Sequence, residues 1–323
     1  MTATRAPDRA SRTRFAAEVR AGLERPGQKE LPSKYLYDAL GSALFDVITL
    51  LPEYGLARAG ARLLSRHAAA IVHPLRPEVL VAELGSGSAR KTRWVLEALS
   101  EHHSTVYCPI DISPAALEQA ERELQRIDSV TIVGLEREYL EGLQEVAANR
   151  GNEQHMLVLF LGGTIGNFDR PAGDQFLAQV RESMRAGDLL VLATDIEKPE
   201  AQLLLAYDDP IGVTAAFNMN LLARINRELD GEFDLSRFRH EVRYDRGERR
   251  IEMHLRSLVP HQVRIGAADL EVSFAAGETI WTESSHKYAI DEIPRIAKRT
   301  GYRCEMQWVD REWPFAQNLL VAV

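Results

Sequence analysis

Glu83, Gly85, Gly87 and Asp111 have the types and the spacing to hold a nucleoside. The first three follow the apolar run Val79-Leu80-Val81-Ala82, so the stretch reads as a strand, a glycine-rich turn and a helix opening near Lys91. Glycines at 85 and 87 let the backbone turn tightly and approach a ligand with no Cβ in the way. A second apolar strand, residues 105–110, ends in Asp111, where a carboxylate can accept hydrogen bonds from ribose hydroxyls.

A dinucleotide site needs a third glycine and a helix N-terminus facing a pyrophosphate. Here the third glycine position of G-x-G-x-x-G is Arg90. An E-x-G-x-G turn without a pyrophosphate cradle suits a cationic, phosphate-free nucleoside, and S-adenosylmethionine is favoured over a nicotinamide cofactor. By itself the Gly-x-Gly is equally an ordinary strand-to-helix turn; Glu83 before it and Asp111 after the next strand move the reading toward a ligand site.

The elements that must position these residues alternate. Over residues 62–195 strands and helices follow one another, with helices at 91–99, 114–127 and 172–184 and strands at 106–110, 130–133, 156–161 and 189–194. The run 156–161 is almost wholly apolar, as a central parallel strand covered on both faces requires. The pattern predicts an α/β fold, a doubly wound Rossmann-like sheet, closed by a hairpin of strands 303–309 and 315–321 of the kind found in small-molecule methyltransferases. Residues 196–286 break the alternation with a helix at 213–229 and strands at 238–244, 250–258, 262–265 and 270–274. The predicted division is a methyltransferase domain of 59–195 plus 287–323 and an α+β substrate domain of 1–58 plus 196–286.

Composition bounds the function. With 323 residues, 45% hydrophobic and 27% charged, the chain is an ordinary globular protein. Its net charge of -8 argues against nucleic acid or an anionic membrane as the main partner. Cys108 and Cys304 make neither a metal cluster nor a disulfide framework, which suggests a reducing compartment. No apolar run approaches the ~18 residues a membrane span requires. The N-terminal 25 residues lack an apolar core, so they read as no secretory signal but as a solvated tail before Phe15. A cytoplasmic monomer without metal is the expectation.

Several segments together resemble one family, the S-adenosylmethionine-dependent histidine Nα-methyltransferases that make the betaine precursor of ergothioneine. They are Tyr35-Leu36-Tyr37-Asp38-Ala39 with Gly41-Ser42, Leu51-Pro52-Glu53-Tyr54, the Glu83–Gly87 turn, and Phe160-Leu161-Gly162-Gly163-Thr164-Ile165-Gly166-Asn167. Further on come Tyr207-Asp208-Asp209 with residues 212–218, Asn226-Arg227-Glu228-Leu229, Ile251-Glu252-Met253 and Thr282-Glu283-Ser284-Ser285. The resemblance runs from about residue 30 to the C-terminus and implies a cofactor held by Tyr37, Gly85, Lys91 and Asp111, with an acidic-aromatic pair at Glu138-Tyr139. Glu136 is the alternative acid, and the family usually has Asp there. It implies substrate contacts from Tyr54, Gly162, Asn167, Tyr207, Met253, Glu283 and Ser285.

Each has a chemical reason. Asn167 and Tyr207 can donate to an α-carboxylate, Glu283 can accept an imidazole N–H, and Ser285 can pair with the other ring nitrogen. Tyr54 and Met253 can wall a flat ring, and small Gly162 leaves room for a methylated amine. Outside the pattern these residues would mean little: Asn167 could be a turn former and Thr282-Glu283-Ser284-Ser285 a helix N-cap. Gly55, Gly163 and His286 depart from close relatives, where a second tyrosine, a serine and in some a cysteine are expected. His286, in no evident triad, reads as a neighbour of the pocket. Methyl transfer from a sulfonium chiefly needs alignment, so no dedicated base is expected, and three transfers to L-histidine would give hercynine, its trimethyl betaine. Methylation of another free aromatic amino acid such as tryptophan, and a non-catalytic S-adenosylmethionine-binding protein, are the competing readings.

Overall fold

Alternation along the strands decides the architecture, because successive side chains leave a strand on opposite faces. The computed structural model describes residues 9–75, 78–101, 104–127 and 129–323. The chain begins with α1 (Arg9–Leu23), β1 (Lys29–Glu30), α2 (Ala39–Ile48) and α3 (Leu56–Val72). It continues through β2 (Val79–Leu84), α4 (Arg93–Ser100), β3 (Thr105–Asp111), α5 (Pro114–Leu124), β4 (Val130–Ile132), β5 (Leu135–Glu136) and α6 (Tyr139–Ala148). Then come β6 (His155–Phe160), α7 (Arg170–Glu182), β7 (Leu189–Asp195), α8 (Glu200–Tyr207) and α9 (Val213–Leu229). The last elements are β8 (Phe238–Asp245), β9 (Arg250–Ser257), β10 (His261–Ile265), β11 (Leu270–Phe274), β12 (Thr279–His286), α10 (Glu292–Arg299), β13 (Tyr302–Val309) and β14 (Phe315–Ala322).

Two compact units result. One holds the residues through Glu53 with Glu200–Arg246 and Ile251–Ser284; the other holds Tyr54–Pro199, Gly247–Arg250 and Ser285–Val323.

The second unit is the doubly wound sheet, in the order β13-β14-β7-β6-β2-β3-β4 with β5 on β3. The strands from β7 to β4 are parallel, and β14 runs antiparallel between β13 and β7. Val79 and Val81 of β2 face a core with Leu64 and Ile71 of α3, Val95 and Leu99 of α4 and Leu124 of α5. Leu80 and Ala82, one residue out of phase, face Leu143 of α6, Phe176 and Val180 of α7 and Ile296 of α10. Two helical layers therefore cover a sheet whose first strand is buried along its whole length. Helix starts carry their own signals: Ser113 accepts from Ala116 N with Pro114 in the first turn, and Asp169 accepts from Ala172 N.

In the first unit, β1, β12, β9 and β8 form a sheet and β10–β11 a hairpin. Residues 10–14, expected as a frayed and solvated tail before Phe15, are exposed but already helical. Helix α1 begins at Arg9 and buries Phe15, Val19 and Leu23 at 2%, 0% and 2% exposure; residues 1–8 lie outside the described residues. Their spacing of four places these three on one helix face, which a scan for an apolar leader does not register. Helix α8 was not anticipated either. Thr282-Glu283-Ser284-Ser285 belongs to β12 and is not a helix N-cap.

Candidate active site

The glycine turn is held by its neighbours. Gly85 N donates to Ile110 O at 2.8 Å, and Gly85 and Gly87 take φ of +70° and +50°, the left-handed region that glycine enters without penalty. A Cβ on Gly85 would lie 3.0 Å from the Tyr139 hydroxyl oxygen. Tyr139 in turn sits edge-on to Phe160, with ring centroids 5.6 Å apart. Asp111, at the end of β3, accepts from Gly87 N at 3.0 Å and from Ser113 N at 2.9 Å, and burial raises its carboxyl above the usual aspartate range despite those bonds. With Ile112 N also bonding it, the carboxylate keeps about one acceptor site for a hydroxyl.

Glu83 plays a different part from the one its place in the motif suggested. Its carboxyl accepts from Thr92 Oγ1 at 2.7 Å and from the Tyr107 hydroxyl, all three groups being buried. Burial pushes it up to about 7, against the opposing pull of those two bonds. Glu83 therefore braces the turn from below. Thr92 closes the glycine-rich stretch but carries no role in the sequence reading, and Tyr107 is not singled out there; a tyrosine inside an otherwise apolar strand was the available signal.

Lys91 links this turn to the Gly162-Gly163 loop. Its Nζ lies 3.7 Å from the point a Cβ on Gly162 would occupy, and burial pulls its ammonium below the usual lysine value. Gly162 and Gly163 both have positive φ, +85° and +80°, and a Cβ on Gly163 would touch Phe315, Leu56 and Asp195. The loop then winds into a 3-10 turn, Thr164–Asn167, packed so closely that a Cβ on Gly166 would lie 2.8 Å from His286 O. Asn167 and Ser285 are the chain neighbours of the two residues in that contact.

His286 is buried and its Nδ1 lies 3.0 Å from Gly166 O. A carbonyl only accepts, so Nδ1 carries the proton, and burial holds the ring below the ordinary histidine value. It is a strut for the loop.

Behind Ser285 stands a buried ionic cluster that the sequence did not reveal. Lys287 Nζ donates to Ser285 Oγ at 2.7 Å and pairs with Asp195 Oδ2 at 2.8 Å, while Lys198 Nζ pairs with Asp195 Oδ1 at 2.5 Å. The three charged side chains are at most 1% exposed. Burial would raise Asp195, but Lys287 and Lys198 hold it below its usual range; burial brings Lys198 down to about 8. Lys198 also lies 5.1 Å over the Trp313 ring, and Trp313 fills the space beside Gly55, next to Tyr54.

In the other unit, Tyr207, Met253 and Glu283 hang on one buried network around Asn218 of α9. Asn218 Nδ2 donates to His240 Nδ1 at 2.9 Å and lies 3.1 Å from His254 O, and its Oδ1 accepts from Thr282 Oγ1 at 2.7 Å. Thr282 also reaches Met253 O, and His240 Nε2 donates to Tyr207 O at 2.9 Å. With Nε2 donating and Nδ1 accepting, His240 is neutral, as its burial favours. Glu283 follows Thr282 on β12, and its backbone carbonyl accepts from Trp281 Nε1. Asn218 was part of a recognised segment but had no assigned role; a polar residue on the apolar face Phe217, Leu221, Ile225 was the clue. Tyr37 lies in the same unit, edge-on to Phe45 and Phe217 at 5.5 and 5.4 Å, beside Asp38, which caps α2 through Gly41 N.

Glu138 stands exposed at the N-cap of α6, one residue before Tyr139, while Glu136 lies in register with Asp111.

The residues of the turn fit S-adenosylmethionine. The glycine conformations leave backbone open to a ligand, Asp111 offers a ribose-accepting oxygen, and Ser86 Oγ is buried without a hydrogen-bond partner among the described residues. No pyrophosphate-binding third glycine is present. A doubly wound sheet with this turn defines a class I S-adenosylmethionine-dependent methyltransferase.

Comparison with known proteins narrows the class. The chain is 41% identical to the histidine N-alpha-methyltransferase of Mycobacterium tuberculosis over 304 residues, 94% of this chain and 93% of the relative. It is 40% identical to the protein of that name from Mycolicibacterium smegmatis over 309 residues, 94% of each. The ergothioneine biosynthesis protein 1 of Neurospora crassa is 28% identical over 287 residues, 87% of this chain and 32% of the fungal protein. The model of the histidine-specific, S-adenosylmethionine-dependent methyltransferases matches residues 15–322, and the chain belongs to that family.

Proposed function

We propose that this protein transfers methyl groups from S-adenosylmethionine to the α-amine of L-histidine, three times, giving hercynine for ergothioneine synthesis. The observation that carries this reading is family membership across residues 15–322 together with 41% identity over 94% of the chain to a histidine N-alpha-methyltransferase.

In this reading Tyr37, Gly85, Lys91, Asp111, Glu138 and Tyr139 hold the methyl donor. Asp111 accepts from the ribose, Lys91 offers a cation to the donor's amino-acid carboxylate, and Glu138 accepts from the adenine amino group. When bound, the sulfonium supplies an electrophilic methyl group. The chain's own task is then to bring a lone pair into line with it, which is where proximity contributes most.

Asn167 and Tyr207 donate to the histidine carboxylate, offsetting its loss of water. Glu283 accepts the imidazole N–H and Ser285 pairs with the other ring nitrogen. Tyr54 and Met253 wall the ring. A substrate without a ring donor leaves Glu283 unpaired, so specificity comes from a penalty as much as from an attraction. The amine gives its proton to water between transfers; His286, held by Gly166, is not assigned that role. Gly162 and Gly163 leave space for the amine to grow and turn.

No helix among the described residues is long and apolar enough to cross a membrane. We further place the protein in a reducing cytoplasm, as a monomer that binds no nucleic acid. Its free cysteines and net charge of -8 support this, and the mass of the particle in solution tests it. The test of the main reading is incubation with each common amino acid and S-adenosylmethionine, with products weighed by mass spectrometry. Histidine should be methylated and the others not; methylation of tryptophan in its place would reverse the substrate assignment.

A further inference from the structure

Lys287, Asp195 and Lys198 form a charged cluster with no more than 1% of any side chain exposed. Burying ions is costly, and a lysine retained in such a place needs a reason beyond stability. Two cations share one carboxylate here, so a simple ion pair does not account for the arrangement. The second lysine is the one that reaches a hydroxyl: Lys287 Nζ is 2.7 Å from Ser285 Oγ and 2.8 Å from Asp195 Oδ2.

An ammonium has donors and no acceptor, so the direction of the Lys287–Ser285 bond is fixed: the serine oxygen accepts. A cation donating into a hydroxyl oxygen polarises its O–H bond, making the serine a stronger donor and a weaker acceptor. A neutral imidazole presents one N–H and one nitrogen with a lone pair. A serine biased to donate reads the lone-pair nitrogen.

We propose that Lys287, oriented by Asp195, is a positioning residue for substrate specificity: it sets Ser285 as a hydrogen-bond donor to the imidazole nitrogen that carries the lone pair. The proposal rests on the reading of Ser285 as a substrate contact. Asp195 holds Lys287 from the end of β7, and Lys198 occupies the other carboxylate oxygen, which leaves the Asp195 head group one orientation. Lys198 is held in turn by Ile196 O at 2.7 Å and by its place over Trp313.

The test uses the full chain and two substrates, histidine and pyrrolylalanine, whose ring keeps an N–H but has no lone-pair nitrogen. Lys287→Met, Ser285→Ala and the double variant are compared by steady-state kinetics, with S-adenosylhomocysteine binding measured by calorimetry as the check on the fold. Loss of one hydrogen bond corresponds to about tenfold in kcat/KM. Lys287→Met should therefore raise the KM for histidine with a smaller effect on kcat, and cut the preference for histidine over pyrrolylalanine by about tenfold. Ser285→Ala should do the same, and the double variant should be no worse than Ser285→Ala alone.

Additive losses in the double variant, or an unchanged preference in Lys287→Met, would overturn the role of Lys287. Full histidine affinity in Ser285→Ala would instead remove the substrate reading of Ser285 on which it rests. Should Lys287→Met fail to bind S-adenosylhomocysteine, Lys287→Gln gives the answer. Its amide can still donate to Ser285, so it should keep more of the histidine preference than Ser285→Ala; equal loss counts against the proposal.

Discussion

Replacing Gly55 by alanine isolates one packing contact. Gly55 opens α3 with φ of -75° and ψ of -12°, a conformation any residue adopts, so backbone strain plays no part. The added Cβ would stand 2.2 Å from both Cδ2 and Cε3 of Trp313. Carbon atoms in contact rest at roughly 3.5–4.0 Å, so the indole must retreat by more than about 1 Å. It has little freedom to do so. Trp313 is 7% exposed, and its backbone N donates to Asp310 Oδ1 at 2.9 Å. Asp310 is clamped by Arg62 through bonds of 2.8 and 2.6 Å. Overpacking of this kind costs about 1–3 kcal/mol, and the capping change from glycine to alanine works in the same direction. Urea unfolding of Gly55→Ala should show that loss with an unchanged slope. Trp313→Leu removes the obstacle, so adding Gly55→Ala to it should leave only the small capping cost, a coupling of at least about 1 kcal/mol between the two changes. Equal losses in both backgrounds would show that Trp313 does not fill the space beside residue 55. A tyrosine placed at residue 55 should be tolerated only in the Trp313→Leu background.

Three further outcomes follow from the same geometry. Burial lifts folded Glu83 from 4.5 to about 7, so between those values the folded chain holds a proton that the unfolded chain has lost, and stability falls as pH rises through that window, by about 3 kcal/mol in all; Glu83→Gln, neutral throughout, should lack this slope in melts taken from pH 4 to 8, and a parallel slope would refute the assignment. Glu283→Ala should weaken histidine binding at least tenfold by calorimetry while S-adenosylhomocysteine binds as before; unchanged histidine turnover would remove Glu283 as the specificity residue. Gly41→Ala would place a Cβ 1.7 Å from Leu36 O, beneath the turn that carries Tyr37, so it should lower both thermal stability and affinity for S-adenosylmethionine, and a variant indistinguishable from the parent in both would show that this turn can shift freely.

The sheet was legible because parallel strands buried on both faces leave continuous apolar runs, and 156–161 is almost nothing else. The glycine turn was legible because positive φ selects residue type. Helix α9 matched its predicted limits, since glycine precedes it and Asp230, in the left-handed region, ends it. What stayed hidden depends on partners distant in sequence. Nothing near Ser285 announces that Asp195 and Lys198 will meet Lys287, or that Trp313 will fill the space beside Gly55. Glu83 was noticed for its position, but its buried bonds to Thr92 and Tyr107 belong to tertiary packing. Helix α1 was legible in the spacing of Phe15, Val19 and Leu23 by four, but the segment was read only for an apolar leader.

The most direct measurement is the mass of histidine after incubation with this protein and S-adenosylmethionine. Histidine should pass through mono- and dimethyl forms to the trimethyl betaine, with all added methyl groups on the α-nitrogen by fragmentation. No mass gain, arrest at one methyl group, or a methyl group on the imidazole ring would contradict the assignment of histidine Nα-trimethylation to this chain.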